Sequence, residues 1–261
     1  MDFARKTTLI TGASTGIGAA FARELAARGS DLVVVARSED KLRGLQQELT
    51  AAHGTTVHVV PLDLARPGAA AELQQRVEAL GATVDILVNN AGFATFGAVA
   101  ETDPSRMAEQ VQLNCLTLTD LTARLLPGMV DRGHGAVVNI ASTAAFQPIP
   151  RMAVYGATKA YVLSFTEALA NELRGSGVRA LAVCPGATDT PFFDVAGEEA
   201  AVGVRRRPEQ VVTTTLAALR RGRPTVVDGL VNRLGTLAPR LLPRRATVAV
   251  AERVTRPSAA A

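Results

Sequence analysis

The stretch Thr7–Gly18, TTLITGASTGIG, decides how the rest of the chain is read. Its first half, TTLIT (7–11), is β-branched and apolar, and glycines follow at Gly12, Gly16 and Gly18 before an Ala-rich run that reads as a helix to about Gly29. A strand, a glycine turn and a helix start bring backbone N–H groups and the positive end of a helix to one place. That geometry binds a pyrophosphate, and the glycines let the backbone approach it closely. An ordinary βα turn needs no such glycine density, so the stretch points to a nucleotide, first of all a dinucleotide.

The same alternation continues outward. DLVVVAR (31–37) precedes SEDKLRGLQQELTAAHG with helical apolar spacing, TVHVVPLDL (56–64) precedes AELQQRVEALG, and TVDILVNN (83–90) precedes a helix from about Pro104 to Arg132. GAVVNIAS (135–142) precedes a helix from about Ala153 to Arg174, VRALAVCPG (178–186) leads into a loop and a short helical piece, and PTVV (224–227) reads as a last strand. Continuous apolar strands alternating with helices predict an α/β fold: a doubly wound parallel sheet of about seven strands, helices on both faces and right-handed crossovers. No linker or repeat divides the chain, so 1–228 reads as one domain and 229–261 as a C-terminal extension.

Composition narrows the class. Of 261 residues 48% are apolar, 20% charged and 4% aromatic, which suits a folded domain with a sizeable core and excludes disordered or fibrous chains. The sequence predicts neither a transmembrane helix nor a signal peptide, because no apolar run is long enough and the first strand begins at once. Cys115 and Cys184 lie in apolar runs and read as buried free thiols, as expected in a reducing cytoplasm. His53, His58 and His134 are scattered, so no metal site is expected. The net charge of +4 is uneven: residues 204–261 hold twelve arginines against Glu209, Asp228 and Glu252. Basic surfaces can bind nucleic acid, but this one has no aromatic residue to stack on a base, and a solvated basic face accounts for it.

Two short stretches carry the chemistry. At the end of the second strand, a carboxylate would bond the ribose hydroxyls and select NAD. Here Ala36 is followed by Arg37 and Ser38, and a guanidinium suits a 2′-phosphate, which points to NADP(H). The second stretch is AVYGATKAY (153–161). The chain has 25 Arg but three Lys and two Tyr, yet Tyr155 and Lys159 stand one helical turn apart. A phenol titrates near about 10, and a neighbouring ammonium lowers that value by favouring the phenolate. Lys is compact enough to reach a ribose hydroxyl as well, so the pair reads as an acid/base beside a nucleotide.

With these residues in place, the chain resembles the short-chain dehydrogenase/reductase family over most of 7–190. TGASTGIG is similar to the family's cofactor turn, which brings Gly12, Ser14, Thr15, Gly16, Ile17 and Gly18 to the cofactor beside Arg37 and Ser38. PLDL places Asp63 and Leu64 at the adenine, and NNAG (89–92) places Asn90, Ala91 and Gly92 along the cofactor. Asn114, in QLNCL, falls where the family has a helix Asn that holds a water against the catalytic Lys. Ser142, in NIAST, precedes Tyr155 by the family's usual spacing. Pro185, Gly186, Thr188 and Thr190, in PGATDT, resemble the turn that meets the nicotinamide carboxamide, although Thr188 stands where the family more often has an apolar residue. The resemblance implies a single Rossmann-like domain, NADP(H), a homodimer or homotetramer, and an alcohol dehydrogenase or carbonyl reductase. In that chemistry Ser142 orients the substrate oxygen, Tyr155 gives or takes the proton, Lys159 lowers the Tyr155 pKa and holds the nicotinamide ribose, and Asn114 supports refilling of the proton.

Five of the eight phenylalanines, Phe93, Phe96, Phe146, Phe192 and Phe193, follow strand ends, where ligands bind in open α/β sheets. With Ser142 they predict a largely apolar pocket for a hydrophobic carbonyl, closed by a lid over 188–207. Two other readings stay open: a 3-oxoacyl-carrier-protein ketoreductase whose basic end docks an acidic carrier, and a non-catalytic NADP(H)-binding regulator. The regulator would have little need of Asn114, Ser142, Tyr155 and Lys159 together. In the extension, Pro239 and Pro243 predict short helices rather than one long one. Its leucines and valines need a surface, and three compete: the substrate pocket, a neighbouring subunit, or an anionic membrane met by 229–256. With no Trp, Phe or Tyr to anchor an interface, packing on the domain or on a neighbouring subunit is the favoured expectation.

Overall fold

The β-branched runs form seven parallel strands in a computed structural model that describes residues 2–200 and 203–255. They are β1 (Thr7–Thr11), β2 (Asp31–Ala36), β3 (Val57–Pro61), β4 (Ile86–Asn89), β5 (Gly135–Ile140), β6 (Val178–Cys184) and β7 (Thr225–Val227), in the spatial order β3-β2-β1-β4-β5-β6-β7. The connecting helices are α1 (Gly16–Ala27), α2 (Glu39–His53), α3 (Ala69–Ala79), α4 (Pro104–Val111), α5 (Leu118–Asp131), α6 (Ala153–Glu172), α7 (Phe192–Ala196) and α8 (Pro208–Arg220).

Strand parity divides the core. Ile10, Leu32, Val34, Ile86 and Val88 face one side, with Leu25 of α1, Leu45 of α2 and Leu216 of α8. Their neighbours Leu9, Val33, Val35 and Leu87 face the other, with Leu73 of α3, Leu121 of α5 and Leu169 of α6. Each such burial is worth roughly 1.5–3 kcal/mol, so a one-residue slip in any strand would forfeit both faces at once.

Topology opens the site. β1 lies between β2 and β4, so the connections leave it in opposite directions and a crevice forms at the carboxyl ends of β1 and β4. Thr11 and Asn90 bind its two lips. Thr11 Oγ1 accepts from Asn90 N (2.9 Å) and Ala91 N (3.0 Å), and Asn90 Nδ2 donates to the carbonyls of Thr11 (2.9 Å) and Gly12 (3.1 Å).

The expected helix over 104–132 is interrupted. Asp103 caps α4 by accepting from Ser105 N, with Pro104 at the first position, but Gln112–Thr117 then forms a π-helical turn before α5. π turns recur at functional sites, and this one carries Asn114. The strand-like runs 56–64 and 83–90 contract to β3 and β4.

The extension forms α9 (Leu230–Gly235), α10 (Ala238–Leu241) and α11 (Arg244–Val254), divided near Pro239 and Pro243. α11 buries Thr247 and Ala251, one turn apart, and Thr255 beyond its end. The Thr255 carbonyl accepts from Arg151 Nη1 (3.2 Å), and its hydroxyl donates to the Pro150 carbonyl (3.2 Å). Residues 256–261 of the expected extension, and Ala201 and Val202 of the expected lid, lie outside the described residues.

Candidate active site

A cavity of about 920 Å³ runs from the glycine turn, across the carboxyl ends of the central strands, to the extension. At one end it is lined by Gly12, Ser14, Thr15, Gly16 and Ile17. Gly12 (φ +66°) and Gly16 (φ +56°) are left-handed, and a Cβ on Gly16 would lie 2.9 Å from Thr190 Cγ2. α1 has no acidic residue in its first turn, so its positive end faces the cavity uncompensated. Gly18 does not line the cavity. It allows α1 to close on β1, since a Cβ there would stand 2.2 Å from the Gly12 carbonyl oxygen.

Arg37, Ser38, Asp63 and Leu64 line the same end. Lys41 joins them, a residue the sequence reading passed over. Its signal was available: it is one of three lysines and stands four residues after Arg37. Neither Arg37 nor Lys41 enters an ion pair among the described residues.

Midway lie Asn90, Ala91 and Gly92, then Ser142, Tyr155 and Lys159, with Pro185, Gly186, Thr188 and Thr190 opposite. Ser142 caps the short 3-10 turn Thr143–Phe146, its Oγ accepting from Ala144 N at 3.1 Å. α6 carries Tyr155 and Lys159, both buried. Burial pushes the Tyr155 phenol up to about 12, and a hydrogen bond with Ser142 opposes this only in part. This corrects the expectation that Lys159 lowers the phenol. Lys159 Nζ instead donates to the Ile140 carbonyl (2.7 Å) and lies 5.7 Å from the Tyr155 ring centroid, and burial brings Lys159 itself down to about 8. Withdrawal from water outweighs the neighbouring charge, and the phenol is held neutral.

Asn114 lies behind the wall rather than in it. Its Oδ1 accepts from Phe93 N (3.3 Å), while its Nδ2 donates to the Phe93 carbonyl (3.0 Å) and to Thr158 Oγ1 (3.1 Å). A Cβ on Gly92 would meet Asn114 Oδ1 at 2.9 Å and Lys159 Nζ at 3.6 Å, so Gly92 leaves the contact open. Thr188 is buried, and its hydroxyl donates to the Gly186 carbonyl at 3.1 Å, which satisfies a polar group at this position.

The far end holds Phe93, Phe146, Phe192 and Phe193. Phe192 lies 5.7 Å from the Tyr155 ring, Phe193 stacks edge-on to Phe192, and Arg106 covers Phe93 at 4.0 Å. Phe96 is a correction: it packs with Ala94, Met152 and Tyr155 in a cluster beside the cavity and does not line it. The sequence reading missed Ile149 and Met152, and it did not single out Val231, Asn232, Val250 and Ala251 of the extension, all of which line the cavity. No local motif marks them; topology alone brings them there.

Arg206 ties the segment 188–207, expected as a lid, to the rest of the domain. Its N–H donates to the Ala187 carbonyl (2.9 Å), its carbonyl accepts from Asp189 N (2.8 Å), and its guanidinium grips the fully buried Asp228 at 2.5 and 3.1 Å. Thr214 Oγ1 also donates to Asp228, at 2.6 Å. Cys115 and Cys184 are free and buried.

The model of the short chain dehydrogenases matches residues 6–201. A short-chain dehydrogenase from Sphingobium yanoikuyae, solved in complex with NADPH, is 36% identical with a TM-score of 0.82, covering 90% of this chain and 93% of that one. A bulky-bulky ketone specific alcohol dehydrogenase from Comamonas testosteroni is 32% identical with a TM-score of 0.77, over the same shares of 90% and 93%. The ketoacyl reductase HetN of Nostoc sp. is 36% identical over 181 residues, 69% of this chain but only 63% of the relative's own length. The family model runs from the start of β1 to beyond α7, the fold is shared with solved members at 32–36% identity, and the chain belongs to the short-chain dehydrogenase/reductase family.

Proposed function

We propose that the chain is an NADP(H)-dependent oxidoreductase that reduces a hydrophobic ketone or aldehyde to the alcohol, or runs the reverse. The observation that carries this reading is the meeting of Ser142, Tyr155 and Lys159 between a nucleotide-sized groove and a phenylalanine-lined recess. The groove fits the cofactor. Its glycines leave the backbone bare beside the positive end of α1, and Arg37 and Lys41 offer charge for a 2′-phosphate. Residues Gly12, Ser14, Thr15, Gly16 and Ile17 would hold the pyrophosphate, Asp63 and Leu64 the adenine, and Asn90, Ala91 and Gly92 the length of the cofactor. Pro185, Gly186, Thr188 and Thr190 would face the carboxamide. The nicotinamide supplies or accepts the hydride when bound.

The chain's own residues do the rest. The Ser142 hydroxyl donates to the carbonyl oxygen and stabilises its developing negative charge. The Tyr155 phenol, protonated at neutral pH, gives its proton to that oxygen and takes it back in the reverse direction. Lys159 places a positive charge behind the phenol and within reach of a ribose hydroxyl. Asn114 ties Phe93 to Thr158 and so fixes the wall in which Lys159 lies. The NADPH complex of the Sphingobium relative and the ketone specificity of the Comamonas enzyme support this reading.

A ketoreductase of carrier-bound 3-oxoacyl groups is the second reading, and the likeness to the ketoacyl reductase HetN supports its ketoacyl part. NADPH oxidation with bulky alkyl and aryl ketones, short keto acids and a carrier-bound 3-oxoacyl thioester tests both. Turnover highest on bulky ketones is the expected result. Turnover on the carrier thioester alone would establish the second reading, and none on any substrate would leave a cofactor-binding regulator.

A further inference from the structure

The extension packs by one side only. Thr247, Ala251 and Thr255 turn to the domain, but Leu230 (71% exposed), Leu234 (59%), Leu237 (46%) and Leu241 (84%) face outward. They recur at four, three and four residues, the spacing of one helical face. Leu242 and Val250 are exposed beside them in the chain, and an apolar patch of this kind on a folded domain marks a docking surface. Of the two surfaces expected for these leucines, the domain itself leaves them uncovered, which leaves a neighbouring subunit or another partner. The same segment, 229–255, has five arginines against one glutamate, and the exposed Arg233, Arg244, Arg245 and Arg253 enter no ion pair among the described residues.

Charge decides between occupants. A second copy would bring the same excess of arginine to the contact, five against one glutamate over 229–255, and supplies no matching anion. An anionic bilayer satisfies both features: leucines enter the acyl boundary and arginines meet the headgroups. The cavity opens on this face, since Val231 and Val250 line it and are also largely exposed.

We propose that the α9–α11 face docks the protein on an anionic lipid surface, and that its substrate is an apolar carbonyl compound drawn from that lipid. The substrate half of this inference rests on the carbonyl-reductase reading; the docking half does not. The test is co-sedimentation of the full chain with phosphatidylcholine vesicles, with and without phosphatidylglycerol. Sedimentation with the mixed vesicles, weakening as salt rises, is expected. Leu234→Asp/Leu241→Asp should weaken it by roughly tenfold or more for each leucine removed. Arg244→Gln/Arg245→Gln should weaken it roughly fivefold per charge.

Absence of sedimentation with anionic vesicles overturns the proposal. So does a fall in light-scattering mass of the leucine variant without lipid, which would make the face a subunit contact. In a second arm, the leucine variant should keep wild-type kcat/KM on a water-soluble ketone and lose it on a long-chain ketone carried in vesicles. Equal loss on both overturns the substrate half. Sedimentation without reduction of any carbonyl would refute the functional reading while leaving the docking intact.

Discussion

Tyr155 is a phenol that burial pushes up to about 12, and the proposed reaction uses it as the proton donor. Tyr155→Phe should lower turnover by roughly 10²–10⁴ with cofactor affinity nearly unchanged, as steady-state rates and a binding titration will show. Adding Ser142→Ala should cost less than the product of the single losses, because the two hydroxyls act on one oxygen. Lys159 predicts a pH dependence of stability. It titrates near 8 in the fold against 10.5 for an ordinary lysine, so between those values the unfolded chain binds a proton that the folded chain does not. Stability therefore rises with pH over that window, and the cost of the buried ammonium is fully present below it. Tyr155 acts oppositely and higher: its contribution is present below 10 and lost between 10 and about 12. Burial also pushes the Cys115 and Cys184 thiols up from 9 to about 11 and about 12, so above 9 they oppose Lys159; between 8 and 9 Lys159→Met should flatten the rise of Tm with pH, and a slope equal to wild type there would contradict the assignment. At the groove, Arg37→Ala and Lys41→Ala should each weaken NADPH far more than NADH, whereas equal effects on both cofactors would show that neither charge reads a phosphate.

At the scale of elements, the approach of α1 to β1 is set by one absent methyl. Gly18→Ala puts a Cβ 2.2 Å from the Gly12 oxygen and 2.6 Å from Asn90 Nδ2, where backbone must move. A loss of about 1–3 kcal/mol is expected, together with weaker cofactor binding, measured by denaturant titration and by a Kd. Gly44→Ala on α2 is the matched control, because nothing lies within 4 Å of its added carbon. It should gain up to about 1 kcal/mol from helix propensity alone. The π turn belongs to the same scale. It divides what sequence periodicity presents as one helix, and it carries the Asn114 that grips both polar groups of the Phe93 backbone.

Across the whole molecule, the segment 188–207, α8 and the extension converge on Asp228 at the end of the last strand. Arg206 and Thr214 satisfy its carboxylate, and Asn232 Nδ2 donates to its carbonyl while lying against Gly186. Removing one partner of a fully buried ion pair costs roughly 3–5 kcal/mol. Arg206 is 29% exposed, so Arg206→Met should fall at or below the low end of that range. Because Arg206 also holds Ala187 and Asp189, just before the α7 that carries Phe192 and Phe193, KM for the carbonyl should rise more than kcat falls. An unchanged KM with reduced stability would confine the pair to a structural role.

Alternation of strand and helix, the glycine turn and the spacing of Tyr155 and Lys159 were legible in the sequence because each depends on neighbours a few residues apart. The order of α/β units and the cofactor end of the cavity followed from them, since crossover handedness and the carboxyl-end crevice are consequences of chain chirality. Other features depended on what the sheet brings together across long separations. Burial, not the adjacent lysine, sets the Tyr155 proton, because Tyr155 and Lys159 are both withdrawn from water and Lys159 is turned to Ile140. Phe96 stands outside the cavity, and Val231, Val250 and Ala251 stand in it. The exposed leucine face of α9 and α10 belongs here too: local pattern shows that an apolar face exists, and only tertiary packing decides whether the domain covers it.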